Sequence, residues 1–340
     1  MKVKVLPLVL LPVALPAMAW KPDGPRPVKT YLDWIVGCDN RDFCTAIGLP
    51  TGNRRSMSVK ITRSFGFDEG PSLVIDMTLL PPMRLQIDDY QFPDSRMWQS
   101  KIRMKNGYAR NIIQLMARGK ALSGITYDNH TMANQSLMGL TAALKYMDSR
   151  QLRTDSPSAI IEPGNVRNMY LTSDYSVQIS RPPASDRPAA AADEKALPVL
   201  LGPRICLDRT ETLTLTQGVR LDDRHSLHLL SNDCASGAYN RVSVALIVKN
   251  SGAVSFARFD YDPGMAGEGA GSSDVVNGSW NAKERWLETA VLTRSTGDCG
   301  RRRNFVWDGN MFRLAMQEDM PHCRGSKMFV RTFTAKIIDK

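Results

Sequence analysis

Apolar residues in the first ninety positions recur mostly at every second place. Leu32, Trp34, Val36 and Cys38 fall on one face of an extended segment, because successive side chains of a strand point to opposite sides. DNRD follows as turn material, since Asp and Asn bond their own backbone and tolerate left-handed conformations, and CTAIGL then resumes. Three further groups alternate between Gly or Pro boundaries and read as strands: Met57, Val59, Ile61; Leu73, Ile75, Met77, Leu79; and Met83, Leu85, Ile87. The period changes at NGYARNIIQLMARGK. There Ile112, Leu115 and Met116 share a helical face, with Asn106 as N-cap and Gly119 as the stop. Leu122 to Tyr127 is extended again. In NQSLMGLTAALKYMDSRQLR, Leu137, Leu140, Leu144 and Met147 recur at three- and four-residue steps, a second helix capped by Asn134 or Ser136.

Residues 181–198, RPPASDRPAAAADEKALP, hold neither aromatic nor β-branched side chains, the composition of an extended, poorly packed linker. Beyond them helix signals are few. Leu213 and Leu215 alternate with threonines, and Val242, Val244, Leu246 and Val248 alternate strictly. In FVWDGNMFRL, Asp308-Gly309 stands between alternating segments and predicts a two-residue type I′ hairpin. The expected architecture is α+β. An N-terminal domain of antiparallel strands and two helices (20–180) is joined by the linker (181–198) to a β-rich, disulfide-stapled domain (199–340).

The chain opens MKVKVLPLVLLPVALPAMAW. Lys2 and Lys4 precede an apolar core, and Ala17-Met18-Ala19 supplies a small-x-small cleavage site. This is the pattern of a signal peptide spanning residues 1–19, and it predicts export to the periplasm with cleavage before Trp20. The apolar run is shorter than the roughly 20 residues that span a bilayer, and no second run of that length follows, so no membrane span is expected. The net charge of +10, two units of it from Lys2 and Lys4, is spread over both halves. Only Arg301 to Arg303 form a run. Dispersed positive charge favours anionic surfaces over a nucleic-acid groove.

Six cysteines are an even set, and disulfides persist in an oxidising compartment. Six allow 15 pairings. Proximity favours Cys38–Cys44, Cys206–Cys234 and Cys299–Cys323, each closing a loop within one half. The spacing of Cys38 and Cys44 suits neither a redox C-x-x-C nor, without nearby His or Cys, a metal site; a staple across a turn fits. His225 and His228 are the weak metal candidates, because a three-residue step on a strand sends them to opposite faces. No G-x-S-x-G or H-E-x-x-H occurs. GEGAG follows no strand-to-helix pattern that would cradle phosphate, and no cofactor is expected. The carboxylate pairs Asp88-Asp89 and Asp222-Asp223 diverge on a strand and make no acid/base pair, so no catalytic residue is selected. Tyr239 and Trp307 are aromatic candidates for a binding surface, and Arg301 and Arg303, on one side of an extended segment, for an anion.

DWIVGCDNRDFCTA, SLMGLTAALKYMDSRQLR, CASGAYN, and GDCGRRRNFVWDGNMFRL followed by HCRG occur in this order. Together they resemble the bacterial family called domain of unknown function 1176 over nearly the whole mature chain. The first half is also faintly similar to the invasion-associated locus B family. The principal resemblance implies exported proteins of Gram-negative bacteria, carries over no activity, and supports the Cys299–Cys323 pairing. TRSTGDCG departs from the family's glycine-rich approach to GDCG. The resulting expectation is a periplasmic protein that binds an envelope component, anionic, or another protein, without catalysis. The alternatives are a hydrolase of cell-wall or envelope sugars, and an exported inhibitor of another enzyme.

Overall fold

The computed structural model describes residues 24–50, 57–66, 70–77, 83–92, 101–126, 128–167, 177–202, 215–233, 235–264 and 272–340. The leader, Leu79, Tyr127, Cys206, Leu213, Cys234 and GEGAG lie outside these. Among the described residues the fold is mainly β, with few helices and two disulfides, Cys38–Cys44 and Cys299–Cys323.

The first half begins with strands β1 (Lys29–Tyr31), β2 (Trp34–Cys38), β3 (Cys44–Gly48), β4 (Ser58–Arg63) and β5 (Ser72–Asp76). Next come β6 (Arg84–Ile87), β7 (Tyr90–Gln91), β8 (Lys101–Lys105), helix α1 (Asn106–Arg118), β9 (Ala121–Ile125), β10 (Thr131–Ser136) and helix α2 (Leu140–Arg150). One antiparallel sheet runs β1-β2-β3-β4-β5-β8 and a second runs β10-β9-β6-β7. Alternation does what it predicts in β4: Val59 and Ile61 are buried with α1 and α2, while Lys60 and Thr62 face outward. β2 and β3 behave differently, for every residue in both is buried. Trp34, Val36 and Ala46 join the helices, whereas Ile35 and Ile47 point the other way, into the second half of the chain.

Helix starts are where the pattern misleads. Asn106 opens α1 with a φ of 55° and makes no capping bond; Lys105 holds the cap position. Asn134 and Ser136 belong to β10, where they pair with β9, and α2 begins only after Gly139. The reason is local: Gly139 has a φ of 95°, and a Cβ there would lie 1.9 Å from the Tyr31 carbonyl oxygen. Only glycine lets the chain turn this close to β1.

The second half begins with β11 (Gln178–Arg181), helix α3 (Ala196–Leu201), β12 (Leu215–Arg220), β13 (His225–Ser231), β14 (Val242–Lys249) and β15 (Val254–Phe256). It continues through β16 (Asp274–Val276), β17 (Ser279–Asn281), β18 (Trp286–Leu292), β19 (Gly300–Trp307), β20 (Phe312–Met320), β21 (Val330–Thr334) and β22 (Lys336–Asp339). Two antiparallel sheets, β12-β13-β14-β15 with β16 beside β14, and β17 to β21 in order, share one apolar core. β11 pairs in parallel with the last strand, β22, so chain before the expected linker joins this half.

The linker is extended but docked. Arg220 donates to the Pro188 carbonyl at 3.0 Å, and Ala190 bonds Ser226 and His228 at 2.9 Å each. Its end forms α3, whose Leu197, Leu200 and Leu201 pack on Leu230, Val244 and Leu246. Between β19 and β20 four residues, Asp308 to Met311, lie outside the strands, and the Asp308 N–H donates to the Met311 carbonyl at 3.0 Å, so the turn centres on Gly309-Asn310 rather than Asp308-Gly309. The Asp308 carboxylate accepts the N–H groups of Asn310 and Met311, both at 2.8 Å, and so holds this turn.

Gly139→Ala is expected to lower stability by at least about 1–3 kcal/mol, the usual cost of a forced backbone outlier, read by chemical denaturation. Gly107→Ala, where a Cβ meets nothing within 4 Å, is the control and keeps or raises stability.

Candidate functional site

The CDNRDFC turn answers to the DNRD chemistry. The Asp39 carboxylate accepts the N–H of Arg41 at 2.8 Å and of Phe43 at 3.0 Å, and the disulfide closes the loop across paired Cys38 and Cys44. Asp42 pairs within the first half, with Arg26 and Arg150, while Asp39 and Asn40 reach the second half. The Thr334 hydroxyl donates to Asp39 at 2.8 Å, while the Asn40 amide takes both the N–H and the carbonyl of Thr334, at 2.8 and 3.0 Å. Asn40 thus stands in for a neighbouring strand. Burial pushes the Asp39 carboxyl above its ordinary value, against the donors that favour its charge.

The other cysteine pair lies on the same seam. Cys299 packs with Ile35, Ile47, Leu49, Met320, Phe329 and Val330. A Cβ on Gly37 would meet Val330 at 2.8 Å, so glycine allows the sheets this approach. From HCRG, Arg324 donates to Asp33 and to the Pro50 carbonyl, each at 2.9 Å. The TRSTGDCG loop is organised by Asp298, which accepts from Arg294 at 2.7 Å, from Thr296, and from the Gly325 N–H at 2.6 Å. Hydrogen bonding from Arg294, then from Thr296 and Gly325, holds its carboxyl far below the usual carboxylate range, against burial.

Of the residues singled out by sequence, Trp307, His225 and Asp222 come together, away from Tyr239, Arg301 and Arg303. Trp307 is 3% exposed, and its indole donates to Asp222 at 2.7 Å. His225 meets the same carboxylate at 3.0 Å and lies 5.3 Å from the Trp307 ring. Burial pushes the Asp222 carboxyl up, but donors from Arg224, Trp307 and His225 outweigh it and leave a lowered value. His228 is turned to the linker, and burial lowers its imidazole's pKa. Among the described residues no group of three or more His, Cys, Asp or Glu is placed to hold a metal ion. Asp88 is spent on the N–H groups of Lys120 and Ala121.

Tyr239, 38% exposed, donates to the Thr293 carbonyl at 3.2 Å, which places it at the Gly300 end of β19. Trp307 ends the same strand, about 20 Å away at strand rise. Arg301 is half-exposed and paired with Asp319 at 2.7 Å. Arg303 is buried on Gln317 and the Asp262 carbonyl. The expected alternation of the run holds, with Arg302 on the opposite face, its guanidinium 4.0 Å from the Phe329 ring.

A group that sequence reasoning passed over lies on the outer face of the first sheet. Register aligns Ile47, Lys60, Val74 and Arg103 in one row, Ser58, Asp76 and Lys101 in the next, and Thr62, Ser72 and Lys105 in a third. Residues opposite one another share a face. Across the seam, Arg302, Glu318 and Arg331 form a row on β19-β20-β21. Lys60 lies within electrostatic reach of both sides. Burial lowers its pKa, as do the like charges of Arg331, Lys101 and Arg103, while Glu318 raises it. Lys60, Arg103 and Arg331 make no hydrogen bond or ion pair among the described residues, unlike Lys101, which meets Asp76 at 2.7 Å. SVKITR reads as a strand with a solvated face, and no element is expected at KIRMK; only pairing brings their cations together.

A family model described as a protein of unknown function (DUF1176) matches residues 28–332. The chain belongs to this DUF1176 family. It is similar to the uncharacterized protein YpfG of Escherichia coli (strain K12), with 25% identity over 348 residues, covering 92% of each chain. No solved structure matches. Of the motifs by which the chain resembles DUF1176, those with the four described cysteines lie at the seam, and Asn240 of CASGAYN bonds both the carbonyl and the N–H of Leu292.

Because the folded pKa of Asp298 lies below its unfolded value of about 3.9, its contribution is complete above that value. It is lost as pH falls through the folded pKa. Asp298→Asn removes it at every pH. The stability gap between the parent and this variant is therefore expected to be constant above about pH 5 and to narrow below about pH 4, measured by urea denaturation across pH.

Proposed function

We propose that the chain is an exported periplasmic protein that binds an anionic envelope component without catalysis. Its leader, residues 1–19, directs export and is removed before Trp20. The observation that carries the binding reading is the outer face of β4, β5 and β8, where Lys60, Lys101, Arg103 and Lys105 share one surface beside Arg331. Several arginines elsewhere are matched to carboxylates, as in Arg63–Asp148, Arg181–Asp339 and Arg324–Asp33. A face on which cations outnumber carboxylates, here Asp76 and Glu318, favours anionic partners and makes binding sensitive to salt.

The test uses the tagged mature chain and washed envelope material. Retention is expected at low salt and release as salt rises. Lys101→Gln with Lys105→Gln should weaken retention and flatten its salt dependence without lowering thermal stability. Salt-independent retention, or a folded double variant that is retained unchanged, overturns the reading.

The same proposal keeps two domains, 20–180 and 199–340, with 181–198 as a docked connection. Limited proteolysis is expected to cut first within 181–198, and the fragments to stay associated under non-denaturing conditions through the Asn40–Thr334 and Arg324–Asp33 contacts. First cleavage elsewhere removes this division.

A further inference from the structure

We infer that the seam between the two halves is a phosphate-binding site formed by Lys60 and Arg103 of the first sheet with Arg331 of β21 in the second half. This deepens the anionic-partner reading above and rests on it. Lys60 and Arg103 stand in one row, separated by Val74 on the intervening strand, so their Cα atoms are about 10 Å apart at ordinary strand spacing. Arg331 approaches from β21 with its guanidinium 5.3 Å from the ring of Phe43, which belongs to the disulfide-closed turn. The Arg331 Nε is buried and has no hydrogen-bond partner.

Glu318 is paired in register with Arg331 and within electrostatic reach of Lys60, and is a carboxylate already among these cations; Asp76, in the next row, is held by Lys101. It acts as a resident anion that a stronger one displaces. The geometry separates phosphate from carboxylate. A carboxylate presents two oxygens in one plane and is satisfied by a single arginine fork. Here two guanidinium groups and one ammonium belong to two different sheets. A tetrahedral phosphate, with oxygens in several directions and up to two charges, can meet all three together.

Isothermal titration of the full mature chain with inorganic pyrophosphate at low salt tests this. Binding is expected, and Lys60→Gln and Arg331→Gln, one from each half, should each weaken it about tenfold or more, the scale of a lost charge-assisted bond. Glu318→Gln should tighten it, an effect that mere structural damage does not produce. Lys145→Gln, which removes a surface cation paired with Glu162, should change nothing. Vesicles of phosphatidylglycerol and of phosphatidylcholine identify the source. Capture by the former alone, with the same variant pattern, assigns a lipid headgroup; pyrophosphate binding without capture assigns a soluble phosphate compound. Pyrophosphate binding that is indifferent to both variants, each shown folded by circular dichroism, overturns the site. Polygalacturonate bound more tightly than pyrophosphate through these residues overturns the phosphate assignment and leaves the anionic-partner reading standing. If no anion binds and envelope retention fails too, both fall.

Discussion

Everything else in this structure rests on β2 and β3 being buried on both faces. A strand with one wet face can end a domain, but a strand apolar on both faces must be covered twice. Trp34, Val36 and Ala46 are covered by helices of the same half. Ile35, Ile47 and Leu49 are covered by Met320, Phe329 and Val330, nearly three hundred residues away. The two halves therefore meet through core rather than through a wet surface contact. The polar bonds of Asn40, Asp39 and Arg324 ring this apolar centre and fix its register. Buried polar groups need partners, and here the partners lie across the seam.

This arrangement gives the cysteine motifs a mechanical meaning. The disulfide at Cys38 and Cys44 holds the turn that presents Asp39 and Asn40 to Thr334. The disulfide at Cys299 and Cys323 joins the end of the Asp298 loop to the segment carrying Arg324. Each bond closes a loop within one half, and each loop serves contact with the other. The same close approach sets the first sheet's charged outer rows beside Glu318 and Arg331.

Much of the fold was legible in the sequence, and the reasons are specific. Period-two alternation located β4, β5 and β6, because each has one face on a core and one facing outward; in β14 it marked the Val244 and Leu246 face under α3, while Ala245 and Ile247 are buried on the other. The stop of the first helix at Gly119 was legible, whereas both helix starts were not: Asn106 and Gly139 are set by backbone conformation that tertiary contact imposes. The double burial of β2 was present in IVGC and CTAIGL as apolar runs longer than alternation requires. Reading only one face missed the second covering layer. Trp307 and Arg303 attracted attention as residue types prized at surfaces, yet each found an internal partner, Asp222 and Gln317. The cation rows were invisible for the opposite reason. Lys60 and Arg103 are 43 positions apart in sequence and become neighbours only through the register of β4, β5 and β8.

The pairing of β11 with β22 joins residue 178 to residue 336, and the cover over Ile35 and Ile47 comes from β21 and the segment before it. Chains are made from the N-terminus, and contacts between distant segments form slowly. The first sheet can therefore be complete while its second apolar face still waits for the last tenth of the chain. For that interval the molecule carries an open sticky surface that its own later residues must claim before another molecule does. Assembly is a race against self-association, and the C-terminal strands decide its outcome.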